Sequence, residues 1–576
     1  MRNVWLRVTG IIVVIGVGVY FAYALRHPSV HADSEQPIGV STSTLVAQVA
    51  QAVINSQQEI TRQEELALEA STTAAEEKLN AQKTAAHPRT STPSQPIIIK
   101  HTPLPLPIPQ AVTIPAQSIP VLLYHGEGGS MQNTPTQLFA DQMQALSDAG
   151  WHTITLEQFQ DFVKNGTPVQ DKSFLLTFDD GRKDTYYATD PILQKLGFSA
   201  VMFVITGFSM PDNGGTSTFY LSQQELETMF ESGRWELESH SKEAHRFYTI
   251  TTTLSTSTIP TVSTNGGSTA TTTPGHFLSN RFVVTDPLTG VYRFETDQEF
   301  ARRIATDLVL AQQTLQNDFG KPVTAFAYPL NDYGQDTVNF PGSEAIVSQV
   351  VSSLYTTAFY QAYPGEGETF NYPDSSAFMF RRIEPGVNWS PQTLLDALNA
   401  GRAKTLPYTS SSFGGEWIGG WGSLTGGDTL TLSATPTTSG AEAFLQGSQL
   451  WKDYSFNATA DWQSGSEMSL IGRRADLQDY ISCDFTDGGI FLDKHIQGVS
   501  TVVASIPFSP GDVSKHTLHL SLSAQGNNIT CSNGALGGTI SGVVAEPILQ
   551  SGGIGVQTWD KLLFGAKVSL SDIQVQ

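Results

Sequence analysis

Two adjacent carboxylates and a set of histidines sit where apolar runs end. Asp179-Asp180-Gly181 follows the apolar run at 174–178, and His125 follows Val121-Leu122-Leu123-Tyr124. His240 follows Trp235-Glu236-Leu237-Glu238-Ser239, with His245 five residues on, and Tyr328-Pro329 follows Thr324-Ala325-Phe326-Ala327. Adjacent carboxylates resist being ionised together in a small site unless a cation compensates. One can then ligate a metal while the other stays free as a base. A spacing of five is about 500° of rotation on a helix, so His240 and His245 would point to different sides. They must converge from a strand end and the loop after it. One Asp and two His make a ligand set for a catalytic divalent metal with positions left for water and substrate. Such a metal lowers the pKa of water and polarises a carbonyl. Each feature alone is ordinary: Asp-Asp-Gly as a turn, the histidine pair as chance, His125 as a satisfied buried side chain. Their order and shared position point to one site, and the residues leave open which Asp is base and which is ligand.

The elements that must position these groups are β-type runs at 121–124, 152–155, 174–178, 200–205, 235–238, 323–327, 356–359 and 378–383. Helical patterns lie between several of them. Thr134-Pro135 reads as a cap followed by a first-turn proline, Ser222-x-x-Glu225 and Thr296-x-x-Glu299 as capping boxes, and Ser390-Pro391 as a further helix start. The alternation predicts an α/β fold, a distorted (β/α) barrel over 119–405, with chemistry at the C-terminal ends of its strands. A Ser/Thr/Gly tract from Thr249 to Thr273 predicts a surface insertion at about 247–290, neither helix nor core.

After Pro407, short alternating runs separated by turn residues predict an all-β antiparallel jelly-roll sandwich over 410–576. Cys483 and Cys531, the chain's two cysteines, fall in two such runs and can bridge them in a secreted domain. Trp417, Trp421 and Trp451 are candidates for stacking on sugar rings, weighed against core positions. At the start, Arg2 and Arg7 precede an uncharged run at 8–25, just long enough to cross a bilayer. A signal anchor over 1–30 is expected, with a cleaved signal peptide as the alternative. Residues 31–118, polar and then Pro-rich, predict a stalk, its polyproline part reaching on the order of 100 Å. The expected location is extracytoplasmic, held to the membrane by the anchor, or secreted if the signal is cleaved. The 576 residues carry 32 basic and 54 acidic side chains, a net charge of −22. With no basic block, nucleic acid is excluded as a partner.

Residues 119–400 resemble the polysaccharide deacetylases, carbohydrate esterase family four, with the NodB homology domain. The motifs that carry this are Thr177-Phe178-Asp179-Asp180-Gly181, Ser239-His240-Ser241 through His245, and Phe326-Ala327-Tyr328-Pro329. The histidine spacing and Leu123-Tyr124-His125 ahead of the Asp-Asp motif are similar to the poly-β-1,6-N-acetylglucosamine deacetylases. In that branch the barrel is circularly permuted and the general-acid histidine comes early. His276 lies in the insertion, and no histidine follows it before residue 405.

The resemblance implies metal-dependent hydrolysis of N-acetyl groups on an N-acetylated polysaccharide. Asp179 would be the general base, and Asp180, His240 and His245 the ligands of one divalent metal, zinc ahead of cobalt, nickel or iron. His125 would protonate the leaving amine. The backbone N–H of Leu330 would bind the oxyanion, with Tyr328 and Pro329 at the groove. Two departures stand out: Leu330-Asn331-Asp332 follows the Tyr-Pro step, and Ala327 stands where many relatives carry an arginine that holds the base. Arg381, Arg382 and Trp389 are read as groove-lining or structural. By pattern alone the last domain resembles concanavalin/laminin-G-like sandwiches. Two rival readings are a deacetylase of peptidoglycan, chitin oligomers or acetylxylan, and a non-catalytic surface polysaccharide-binding protein.

Overall fold

The computed structural model describes residues 114–576 except 127–133, 212–213, 254–270, 287, 289, 363–367, 411–412, 508–516, 535–537 and 562–564, with Gln51 and Asn55 in addition. The expected anchor and the stalk up to residue 113 lie outside the described residues. Among the described residues, no helix is long and apolar enough to cross a membrane. Ile114–Ser118, assigned above to the stalk, packs on the barrel: Pro115 bridges Gln170, and the Ala116 N–H donates to the Val169 carbonyl at 2.8 Å.

The first twelve strands are β1 (Val121–Tyr124), β2 (His152–Thr153), β3 (Ser173–Phe178), β4 (Ala200–Val204), β5 (Trp235–Ser239), β6 (Phe247–Thr253), β7 (Thr271–His276), β8 (Val283–Thr285), β9 (Tyr292–Phe294), β10 (Ala325–Ala327), β11 (Thr357–Gln361) and β12 (Met379–Arg382). Seven of them form a parallel sheet in the order β1-β3-β4-β5-β10-β11-β12, and β2 pairs with the start of β3. The sheet closes just past β12. Leu123 donates its N–H to the Ile383 carbonyl, and Ile383 donates to Val121. Covered on both faces, β1, β3 and β4 are buried at every residue, which explains their unbroken apolar runs.

Among the described residues, eight α-helices accompany these strands: α1 (Thr136–Asp148), α2 (Leu156–Asn165), α3 (Lys183–Leu196), α4 (Thr206–Ser209), α5 (Gln223–Glu231), α6 (Asp297–Phe319), α7 (Ser343–Leu354) and α8 (Pro391–Gly401). Capping boxes at Ser222 and Thr296 open α5 and α6, and another at Thr155 opens α2. For α1 the expectation shifts by one residue: Pro135, not Thr134, is the cap, and no side chain caps it. Helix α2 closes the floor of the barrel. Its Phe159 packs on Phe359 and Phe380, and its Gln160 binds Thr324 and Thr357 at the strand starts. The active end is thereby left to the strand C-termini.

Among its described residues the insertion forms an antiparallel hairpin, β6 with β7, followed by the ribbon β8–β9. Ile250, Phe277 and Leu278 are buried, and the Asn339 side chain donates to the carbonyls of Thr251 and Arg281. The tract is Thr-rich, and β-branched threonine suits strands.

The rest is a sandwich of two antiparallel sheets, with eight and seven strands. Cys483, in Tyr480–Thr486 of the seven-stranded sheet, forms a disulfide with Cys531, in Asn528–Asn533 of the other. Trp417 and Trp451 are each 4% exposed and belong to the core between the sheets. Of the two readings weighed above, the core position is the one they occupy. Trp421 is half-buried, edge-on to Trp559 at 5.7 Å.

Candidate functional site

The strand C-termini surround a cavity of about 620 Å³ whose lining includes His125, Asp179, Asp180, His240, His245, Tyr328, Leu330, Arg382 and Glu384. The turn after β3 delivers the two carboxylates. Asp180 takes a left-handed backbone, φ 78°, and so does Gly181, φ 71°. A Cβ at Gly181 would sit 3.0 Å from Ser209 Oγ, so both the turn and the close approach require glycine there.

Asp180, His240 and His245 converge. Asp180 Oδ1 lies 3.2 Å from His245 Nε2 and 3.6 Å from His240 Nε2. The three ligating atoms are within 4.8 Å of one another. His240 Nδ1 lies 2.8 Å from the Ala327 carbonyl, which can only accept, so Nδ1 carries the proton and Nε2 keeps its lone pair for the cluster. Burial, joined by the nearby His245, holds the His240 imidazole down at about 4 despite Asp179 and Asp180, so it is neutral and able to ligate. Burial alone would raise the Asp180 carboxyl. The contact with His245 and the nearness of His240 and His125 outweigh it and hold Asp180 well below the usual range. Asp180 Oδ1 is buried with no hydrogen-bond partner. An anionic oxygen left open between two imidazole nitrogens fits a divalent cation. The loop between the histidines is held from α6: Asp307 accepts the N–H groups of Lys242 at 3.0 Å and Glu243 at 2.7 Å.

Asp179 does not join that trio. Both its oxygens are taken by Arg382 from β12, Nη1–Oδ1 at 2.6 Å and Nη2–Oδ2 at 2.7 Å. Burial would raise this carboxyl, but the Arg382 charge, His240 and the paired hydrogen bonds lower it below its ordinary value. The arginine missing at Ala327 is therefore supplied by another strand. Its sequence signal was a charged residue at the C-terminal end of the last barrel run, which the reading above left as groove-lining or structural. Glu384 was missed altogether. Its Oε1 is 2.9 Å from His125 Nδ1. Burial would lower the His125 pKa, but the Glu384 hydrogen bond and the charges of Asp179 and Asp180 raise it above the usual value.

Tyr328 is buried, and Leu330 lines the cavity in a left-handed conformation, φ 57°. A bulky residue held there is strained, a feature common where backbone is aimed at a ligand. The insertion also reaches the cavity. His276 and Phe247 line it, and His276 Nδ1 faces the buried Asp332 Oδ2 at 3.6 Å. The late histidine set aside above thus stands on the pocket wall, paired with a carboxylate. A base paired with an arginine, a histidine whose protonated form is favoured by a carboxylate and a ligand trio between them form an arrangement suited to hydrolysis of an acyl bond.

A family model described as Polysaccharide deacetylase matches residues 166–341. That span holds Asp179, Asp180, His240, His245 and Tyr328, but not His125, Arg382 or Glu384. The poly-beta-1,6-N-acetyl-D-glucosamine N-deacetylase of Staphylococcus aureus is 31% identical over 107 residues, 19% of this chain and 36% of that protein. YxkH of Bacillus subtilis is 30% identical over 124 residues, 21% of this chain and 42% of that protein. The chain thus spans about two fifths of the length of these curated relatives. Among solved structures, the Streptococcus pyogenes deacetylase PplD in complex with acetate aligns at 18% identity and TM-score 0.34, over 49% of this chain and 98% of that one. IcaB from Ammonifex degensii aligns at 20% identity and TM-score 0.33, over 49% and 97%.

Proposed function

We propose that the polysaccharide deacetylase domain this chain carries is catalytic. It hydrolyses N-acetyl groups on an N-acetylglucosamine polymer at or outside the cell surface and releases acetate. The observation that carries the reading is the pairing on either side of the ligand trio: Asp179 held by the Arg382 guanidinium, and His125 Nδ1 held by the Glu384 carboxylate.

Asp180, His240 and His245 would hold a divalent metal, which when bound lowers the pKa of water and polarises the acetamide carbonyl. Asp179 accepts a proton from the attacking water at a carboxylate oxygen. The Leu330 N–H donates to the oxyanion that develops on the former carbonyl oxygen. Protonated His125, its Nδ1 on Glu384, gives its Nε2 proton to the amide nitrogen. The C–N bond then breaks, leaving acetate and a free amine. Zinc is the metal favoured by this donor set, with cobalt, nickel and iron as rivals. The Staphylococcus aureus relative supports a β-1,6-linked N-acetylglucosamine polymer as first substrate, ahead of peptidoglycan, chitin oligomers and acetylxylan. The disulfide supports an extracytoplasmic location. The non-catalytic reading is weaker because every acid, base and ligand position is filled.

The test is acetate release by the full chain after chelation and restoration of single metals, on each of those substrates. Metal-dependent release that Asp179→Asn abolishes is the expected result. Polymer retention on an affinity gel with no release from any substrate would favour the binding protein instead.

A further inference from the structure

The seven-stranded sheet of the sandwich has one face on the core and one turned away. Met468, Leu470, Ile481, Cys483 and Phe485 face the core, so Ser469, Ser482 and Asp484 between them point outward. Outward positions of a sandwich are ordinarily solvated and polar. Here they are polar yet buried: Ser469 and Ser482 are 1% exposed, Glu442 6% and Asp484 9%. Glu442, Gln557, Ser469 and Asp484 stand in register on four neighbouring strands, forming one polar stripe across the sheet.

Beside this stripe, Tyr480 stacks on His495 with ring centres 4.0 Å apart. Ser482 Oγ donates to Asp484 Oδ2 at 3.0 Å and lies 3.3 Å from His495 Nε2. Arg474, 1% exposed, gives Nη2 to Glu442 at 3.4 Å, while its buried Nη1 has no partner. Asp493, opposite Ser482, accepts from Ser500 with Oδ2, while its buried Oδ1 has none. A donor and an acceptor are thus both left open on the same face of the sheet, an arrangement that persists when a ligand completes it. Burial first, then the charges of Glu467 and Asp493, pushes the Asp484 carboxyl up to about 7 against the hydrogen bonds of Ser469 and Ser482.

We infer that this outer face binds a single saccharide unit, with Arg474, Asp484 and Asp493 bonding its hydroxyls and the Tyr480–His495 stack flanking its ring. Carboxyls and serine hydroxyls accept and donate to hydroxyl groups, and Arg474 Nη1 donates. Four acidic groups against one arginine repel phosphate and other anions. Among the described residues, the only three ligating side chains that converge as a metal group are those of the barrel. The inference does not depend on the barrel reaction, because it concerns a different surface.

The test is calorimetry on the full chain with three probes: glucosamine oligomers, N-acetylglucosamine oligomers and a neutral β-glucan. At least one should bind, and the preferred probe identifies the sugar. Asp484→Asn and Tyr480→Ala should each weaken that binding tenfold or more, with melting temperature retained by at least one of them. Acetate release from short soluble oligomers should be unchanged in both. Binding of every probe that is indifferent to both substitutions, or absent from the outset, would overturn the inference. Loss of acetate release in the unmodified chain would instead count against the barrel reading and leave this result intact.

Discussion

Asp179 and Arg382 are 3% and 2% exposed, so neither charge has water to fall back on. Breaking a buried pair by removing one partner costs about 3–5 kcal/mol, because the other charge is stranded. Arg382→Ala should therefore lower the melting temperature and abolish acetate release. Adding Asp179→Asn to it should recover much of the stability and none of the activity, which separates folding from chemistry. His125 gives a pH test. A general acid works only while protonated, so activity falls as pH rises through its pKa. Glu384→Gln removes the charge that raises that pKa, so the falling limb should move to lower pH while the acidic limb stays. An unmoved limb in a pH–rate profile would remove His125 from the role of acid. His125, Asp179, Asp180 and His240 were legible because each sits at a strand end, and His245 because it follows in the loop after β5. Arg382 and Glu384 were not, because their partners are more than 200 positions away and meet them only when Ile383 closes the barrel on β1.

The ligand loop shows how one element holds another. Helix α6 presents Asp307 to two backbone N–H groups between His240 and His245. Burial pushes this carboxyl up to about 6, against the two hydrogen bonds that lower it. Asp307→Ala leaves both N–H groups without a partner, a cost of about 1–3 kcal/mol for each buried group. It should weaken metal affinity, measured by competition with a chelator, more than Asp307→Asn, which keeps one acceptor. Equal affinities in the two variants would sink the idea. The strands themselves were legible, because burial on both faces leaves long apolar runs with little ambiguity. The hairpin β6–β7 was not, because one buried side chain, Ile250, in a run of threonines and a partner strand with Pro274 and Gly275 make too weak an alternation. For Trp417 the pattern of a strand shows that one face is buried, without saying which, so core and sugar platform read alike there.

Barrel and sandwich meet at a small, well-bonded seam. Glu368, buried at 4% exposure, takes the Gly447 N–H on Oε2 at 2.8 Å, and the Lys404 N–H donates to the Gly447 carbonyl. Gly447 is left-handed, φ 76°, and a Cβ there would meet the Arg402 carbonyl oxygen at 2.0 Å, so the seam demands glycine. The Trp451 indole N–H donates to the Lys404 carbonyl from the sandwich side. Yet the hydrophobic clusters do not mix: the barrel's two draw on residues 116–398 and the sandwich's on 413–575. The sandwich therefore has its own stability, part of it from the cross-link between sheets. Cys483 and Cys531 are 48 residues apart. For a loop of that size, the chain-entropy account gives about 4 kcal/mol. In a domain of 150–250 residues this corresponds to roughly 10 °C of melting temperature. Replacing both cysteines by alanine should lower a sandwich transition by that order in calorimetry. The barrel transition and acetate release from soluble oligomers should stay in place, because nothing in the catalytic cavity rests on the second sheet. If acetate release falls in step with the sandwich transition, the two bodies unfold as one. The seam at Glu368 and Gly447 would then be a structural support of the active site rather than a joint.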